Sequence, residues 1–250
     1  MLNAFSRTEL AIGREGLKKL KGSSVAVLGM GGVGSYTAEA LARAGIGKLI
    51  LVDKDVVDVT NINRQIHALH STIGRSKVEL MAKRIGEINP ECHVVPLQMF
   101  YNEGTYEEVF REPLDYLVDA MDTVSYKIHV VVECKKRGIP IVSSMGAANK
   151  LNPAAFRVAD LFKTSYDPIA KVMRKRLKGL GITQDVKVVY STEKPLVQRE
   201  EILGEIVQDP NSPISKVRRP PASISFVPPV AGLILAGVVV NDLLGRPLEG

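Results

Sequence analysis

The sequence predicts an α/β fold built on a doubly wound, mostly parallel sheet, and three observations predict it. From Val25 to Ser143, apolar runs of strand length alternate with stretches of helical period, the order that a sheet covered by helices on both faces requires. The first of those runs leads directly into a turn, Gly29-Met30-Gly31-Gly32-Val33-Gly34, and then into a helix. The chain of 250 residues is 45% hydrophobic, enough for one large core without a second domain.

Residues 5–20 read as an amphipathic helix, with Leu10, Leu17 and Leu20 opposing Arg14, Lys18 and Lys19. Strands are expected at 25–29, 48–53, 93–97, 115–119 and 139–143. The helices between them fall at 33–44, 77–88 and 125–137. The first repeats Val33, Tyr36, Ala40, Leu41 and Ala44 at helical spacing before Gly45; the second is stopped by Asn89-Pro90 and the third by Gly138-Ile139-Pro140. Beyond Ala147, strand-like pieces at 156–159 and 186–190 flank a basic helical segment. Residues 200–224, proline-rich and of mixed charge, read as a mobile crossing loop. A buried helix across 226–244 closes the chain.

The glycine turn is where chemistry enters. Glycines let the backbone turn sharply and approach a phosphate, and the following helix offers its free N–H groups and positive end to the anion. Asp53 lies nineteen positions after Gly34 at the end of the second strand, where a carboxylate can accept both ribose hydroxyls. This makes the sheet Rossmann-like and its first part a nucleotide site. The chain then reads as a single domain: a nucleotide-binding core at 5–150, a substrate-facing part at 151–225 and the C-terminal helix at 226–244.

Further charges gather at the carboxyl ends of neighbouring strands. Asp53-Lys54-Asp55 leads into Asn61-Ile62-Asn63-Arg64-Gln65, Lys77 opens the next helix, and Asp119-Ala120-Met121-Asp122 ends a later strand. Singly, Arg64 suits a solvated loop, Lys77 a helix end and Asp122 an N-cap. Together they supply a guanidinium and an ammonium to neutralise a polyphosphate and a carboxylate to hold Mg²⁺, in the crevice where open α/β sheets bind ligands. A nicotinamide dinucleotide does not need that set.

These motifs resemble the adenylation fold of the ubiquitin-activating superfamily, whose bacterial members activate sulfur-carrier proteins. The resemblance rests on Gly29, Gly31, Gly32 and Gly34, the Asp53-x-Asp55 step, Asn61-x-x-Arg64-Gln65, Lys77 and Asp122, across residues 5–150. It implies ATP as cofactor: Asp53 on the ribose, Asn61, Arg64 and Lys77 on the phosphates, and Asp122 on Mg²⁺. It also implies a homodimer in which Arg7, from Phe5-Ser6-Arg7-Thr8-Glu9, reaches the partner's γ-phosphate. A monovalent cation and a cysteine desulfurase or sulfur-acceptor partner are left open.

Sulfur-carrier activators usually hold zinc on two CxxC pairs. This chain has two cysteines, Cys92 and Cys134, far apart, the second within an expected helix. The stretches 143–151, 160–168 and 223–228 instead resemble the threonylcarbamoyladenosine dehydratase branch, nearly end to end. That resemblance implies ATP-dependent closure of the threonylcarbamoyl side chain beside a tRNA anticodon into a ring, through an acyl-adenylate.

Bulk properties point to an anionic partner beyond the nucleotide without naming it. Net charge is +6 and pI about 9.2. Lys171, Arg174, Lys175, Arg176 and Lys178 place five cations in eight residues, with Lys216, Arg218 and Arg219 in the proline-rich loop. Such a run is often only a solvated helix face; with tRNA implied, phosphate contact is the expectation. Its place after the last strand–helix unit puts it at the rim of the nucleotide cleft. Two other readings stay open: an adenylyltransferase for a sulfur-carrier protein, and a dinucleotide-binding protein using the glycine turn alone. The start, Met1-Leu2-Asn3-Ala4-Phe5-Ser6-Arg7, has no signal-peptide core, and the longest apolar run, Val230 to Val240, is too short for a bilayer. A cytoplasmic protein is expected.

Overall fold

The computed structural model describes residues 2–208 and 220–248. Strands β1 (Ser24–Leu28), β2 (Lys48–Val52), β3 (His93–Leu97), β4 (Tyr116–Asp119), β5 (Ile141–Ser144), β6 (Phe156–Asp160) and β7 (Lys187–Ser191) form one sheet in the order β3-β2-β1-β4-β5-β7-β6. Every pairing is parallel except β6 with β7. The strands read as apolar runs because both faces are covered. Val25, Val27, Leu49 and Leu51 point into one core with α2 (Gly34–Ala44), α3 (Lys77–Ile88) and α7 (Val227–Leu243). Ala26, Leu28, Ile50 and Val52 point into the other with α4 (Val124–Arg137) and α5 (Pro168–Gly179).

The ends of the helices follow local chemistry. Gly45 and Gly138 cap α2 and α4 in the left-handed region, at φ 95° and 66°. Asp167 caps α5, accepting from Ala170 N–H at 3.0 Å. Helix α7 is apolar on every side and sits against the sheet, crossing α2 so closely that a Cβ on Gly232 would stand 2.3 Å from the Val33 carbonyl oxygen. Among the described residues, no helix is long and apolar enough to cross a membrane.

Two expectations need correction. Helix α1 (Ser6–Lys21) is broken at Gly13, whose φ of 76° and ψ of 170° are not helical. The break swings Leu10 off the apolar face, and Leu10 is 88% exposed while Leu17 and Leu20 stay buried. The crossing segment is not loop throughout: Glu200–Gln208 forms helix α6, with Glu200 and Glu201 in its first turn favouring the dipole. Its prolines obscured that run. Residues 209–219 lie outside the described residues.

Candidate active site

Strand β1 pairs with β2 on one side and β4 on the other, so chain order reverses between β1 and β4 and a crevice opens at their carboxyl ends. A cleft of about 380 Å³ occupies it. The glycine turn forms its floor. Gly29 has φ 91°, and a Cβ there would come 2.7 Å from the Ala120 carbonyl oxygen; one on Gly34 would come 1.7 Å from that of Gly29. Only glycine lets the turn fold this tightly against the end of β4. Helix α2 then begins with no side-chain cap, so its positive end is left for an anion.

The predicted charges converge on this cleft. Asp53 accepts from Met30 N–H at 2.7 Å and from Asp55 N–H at 2.8 Å, which fixes its carboxylate beside the turn. Burial raises its carboxyl above the ordinary value, against the pull of Lys77. Lys77 is 5% exposed and opens α3, where a cation opposes the helix dipole. Its ammonium lies 3.3 Å from Asp55 Oδ2. Asn61 is held by its own turn, its Oδ1 accepting from Asp58 N–H. Arg64 donates to the Thr60 carbonyl and Asn63 Oδ1, both at 2.8 Å, and burial lowers its pKa from the usual guanidinium value. Asp122 stands exposed in the cleft and, among the described residues, accepts only from Thr123 Oγ at 3.1 Å. Among the described residues no cation pairs with it. One free carboxylate beside open space fits Mg²⁺, which takes one or two carboxylates plus phosphate oxygens rather than an all-protein cage.

The walls include residues that the motifs did not name. Phe100 and Tyr126 meet edge to face at 5.0 Å, Lys54 lies 5.3 Å over the Phe100 ring, and Met99 and Met121 complete an apolar side. Adjacent aromatics soon after β3, Phe100-Tyr101, were the available signal for Phe100; Tyr126, in the first turn of α4, carried none. Ala147, Ala148, Ser223 and Pro228 line the opposite side, from two of the three stretches singled out by resemblance. The 160–168 stretch does not reach the cleft; Asp167 instead accepts from Gly146 N–H at 3.1 Å and steadies the loop after β5.

Other predicted residues stand elsewhere. Arg7 is exposed on α1 and does not line the cleft. The basic run lies along α5, which starts beside Gly146 at the carboxyl end of the sheet. It descends until Lys178 covers Phe162 at 5.9 Å, near the amino end of β7, where Leu161 N–H meets the Val186 carbonyl. The run therefore flanks the sheet, with only Lys171 in the turn nearest the cleft. Arg174 is not free: its guanidinium donates to the Leu161 and Thr164 carbonyls and to Thr164 Oγ. Lys171, Lys175, Arg176 and Lys178 are exposed. Lys216, Arg218 and Arg219 lie outside the described residues. Both cysteines are buried, and burial pushes the Cys92 thiol to about 11 and the Cys134 thiol to about 12, so neither is poised as a nucleophile.

Comparison with known proteins narrows the reading. The model of the ThiF family matches residues 5–246. The tRNA threonylcarbamoyladenosine dehydratase of Bacillus subtilis (strain 168) is 59% identical over 244 residues, spanning 98% of this chain and 96% of that protein. Its namesake in Escherichia coli (strain K12) is 40% identical over 196 residues, spanning 76% and 73%. Crystal structures of the E. coli tRNA N6-threonylcarbamoyladenosine dehydratase with ATP and with AMP superpose at a TM-score of 0.85 with 33% identity, covering 97% of this chain and 94% of that one.

Proposed function

The chain belongs to the ThiF family, and we propose that it dehydrates threonylcarbamoyladenosine beside a tRNA anticodon to its cyclic form at the expense of ATP. The observation that carries this is the convergence of Asp53, Arg64, Lys77 and Asp122 on one cleft beside the glycine turn, in a chain so similar along its length to a dehydratase of that name.

A carboxylate is a poor acyl donor because oxide is a poor leaving group. Attack of the threonyl carboxylate oxygen on the α-phosphorus forms an O–P bond and breaks the bond to pyrophosphate. A nitrogen of the same side chain then attacks the activated carbonyl carbon, loses its proton, and expels AMP, which carries away the carboxylate oxygen. The substrate has lost one water. Such a transfer asks mainly for positioning and charge neutralisation. Arg64 and Lys77 neutralise the phosphates, Asp53 holds the ribose and the α2 N-terminus faces the turn. Asp122 would hold Mg²⁺ together with phosphate oxygens; the ion, when bound, neutralises charge that builds on them. No covalent enzyme intermediate is required, in keeping with two buried thiols. The reading extends to a homodimer in which Arg7 serves the partner's cleft.

The test is mass spectrometry of nucleosides from tRNA bearing threonylcarbamoyladenosine after incubation with the protein and ATP. The expected product has lost one water, with one AMP and one pyrophosphate formed. Unchanged nucleosides, with pyrophosphate exchange seen only when a Gly-Gly-ended carrier protein is added, would assign the cleft to carrier activation instead.

A further inference from the structure

Beneath the cleft lies an ion pair that takes no part in the chemistry above. Lys127 on α4 and Asp119 at the end of β4 are both fully buried, with Lys127 Nζ 2.9 Å from Asp119 Oδ2. Ser143 on β5 donates to the same carboxylate oxygen at 2.5 Å. The pair closes on one residue of the cleft wall: Asp119 Oδ1 accepts the Met121 N–H at 3.1 Å, and Lys127 donates to the Met121 carbonyl at 2.9 Å. Both backbone polar groups of Met121 are thus held from below, while Gly29 packs against Ala120 from the side. The next residue is Asp122.

A buried ion pair is an expensive way to fill a core, and apolar residues of similar volume often replace one without loss of stability. What an apolar pair could not do is satisfy the two Met121 backbone groups in one orientation. With the Met121 carbonyl released, the peptide leading to Asp122 is free to rotate and its carboxylate to leave the cleft. We propose that Lys127, with Asp119 and Ser143, is a positioning residue that presents the Asp122 carboxylate to the metal–phosphate group. This rests on the reading of Asp122 as the magnesium ligand.

The experiment measures binding rather than turnover. Isothermal titration calorimetry follows ATP at graded Mg²⁺ concentrations, and AMP without Mg²⁺, on wild-type protein, Asp122→Asn, and Lys127→Met/Asp119→Asn, in which no unpaired buried charge remains. The double variant should need about 10–100-fold more Mg²⁺ for half-maximal ATP binding, while AMP affinity stays within about threefold. Should it fold poorly, Ser143→Ala keeps the ion pair and should move the Mg²⁺ midpoint the same way by about two- to fivefold. A purely structural role lowers the melting temperature and leaves the Mg²⁺ midpoint in place. If Asp122→Asn loses the Mg²⁺ dependence and a folded Lys127 or Ser143 variant keeps the wild-type midpoint, the positioning role is overturned. If Asp122→Asn itself matches wild type, the magnesium reading falls, and this role with it.

Discussion

Arg64 is half-buried and already anchored, with two loop oxygens taking part of its guanidinium. The anchored side chain lines the cleft, and the buried Lys77 adds a second fixed cation. Preorganised charge of this kind stabilises a transition state because it needs no reorganisation when charge develops. Arg64→Ala or Lys77→Ala should therefore cut AMP formation by about 10²–10³ while the fold persists; near-normal turnover in both variants would take them out of the mechanism. His67, three residues beyond Arg64, carries a different consequence. It is buried, and among the described residues neither ring nitrogen has a hydrogen-bond partner; burial, with Lys77 and Arg84 adding to it, lowers its imidazole to about 4. The folded pKa is below the unfolded one, so the unfolded chain takes up the extra proton and stability falls as pH drops from about 6.5 towards 4. Between pH 7 and pH 5 the loss is about 2 kcal/mol from this one group. Urea unfolding of wild type and His67→Gln at the two pH values checks it: an equal loss in both would acquit His67.

The helices decide what the cations do. On α5, the three acceptors taken by Arg174 bind it to the turn at Leu161–Thr164, so Arg174→Ala should lower stability by about 1–3 kcal/mol, because the Thr164 carbonyl loses its donor, rather than change RNA binding. The exposed cations of the same helix are the ones available to phosphates. Replacing Lys171, Lys175 and Arg176 with alanine should flatten the salt dependence of tRNA binding by up to about three units of log–log slope, each lost contact removing nearly one released counterion. ATP affinity should not move, because none of the three lines the cleft. A wild-type slope in the triple variant would leave α5 a solvated face and pass the question to Lys216, Arg218 and Arg219. The same helix marks how far a sequence can be read. Period and turn chemistry located α2, α3, α4 and every strand to within about two residues, because burial on a regular element imposes a regular pattern. The glycine turn and its charges were legible because phosphate binding demands those residue types at those places. What a pattern lacks is direction in space: nothing in the spacing of Arg174 or Leu10 says that one turns inward and the other outward. Lys127, a charge in the buried face of α4, runs against the pattern altogether.

At the scale of the whole molecule, α1 poses a problem that one chain does not solve. Phe5 and Leu17 pack beside Gly45, at the carboxyl end of α2. The glycine turn is at that helix's other end, eleven residues away, or about 16 Å at the rise of an α-helix. Arg7, two residues from Phe5, does not line its own cleft. Around it Leu2 is 95% exposed and Leu10 88% exposed, apolar surface that a second copy would cover. The proposed two-fold dimer would account for both facts together, if an isologous interface buries α1 against the partner and carries each Arg7 to the other cleft. Arg7→Ala and Asp122→Ala subunits should each be inactive alone. Mixed, the Arg7→Ala subunit keeps its Asp122 and receives the partner's Arg7, so each mixed dimer has one working site and random mixing should restore about a quarter of wild-type activity. A verified heterodimer without recovery would mean that the Arg7 side chain serves neither cleft in trans, and the exposed leucines of α1 would then need another partner.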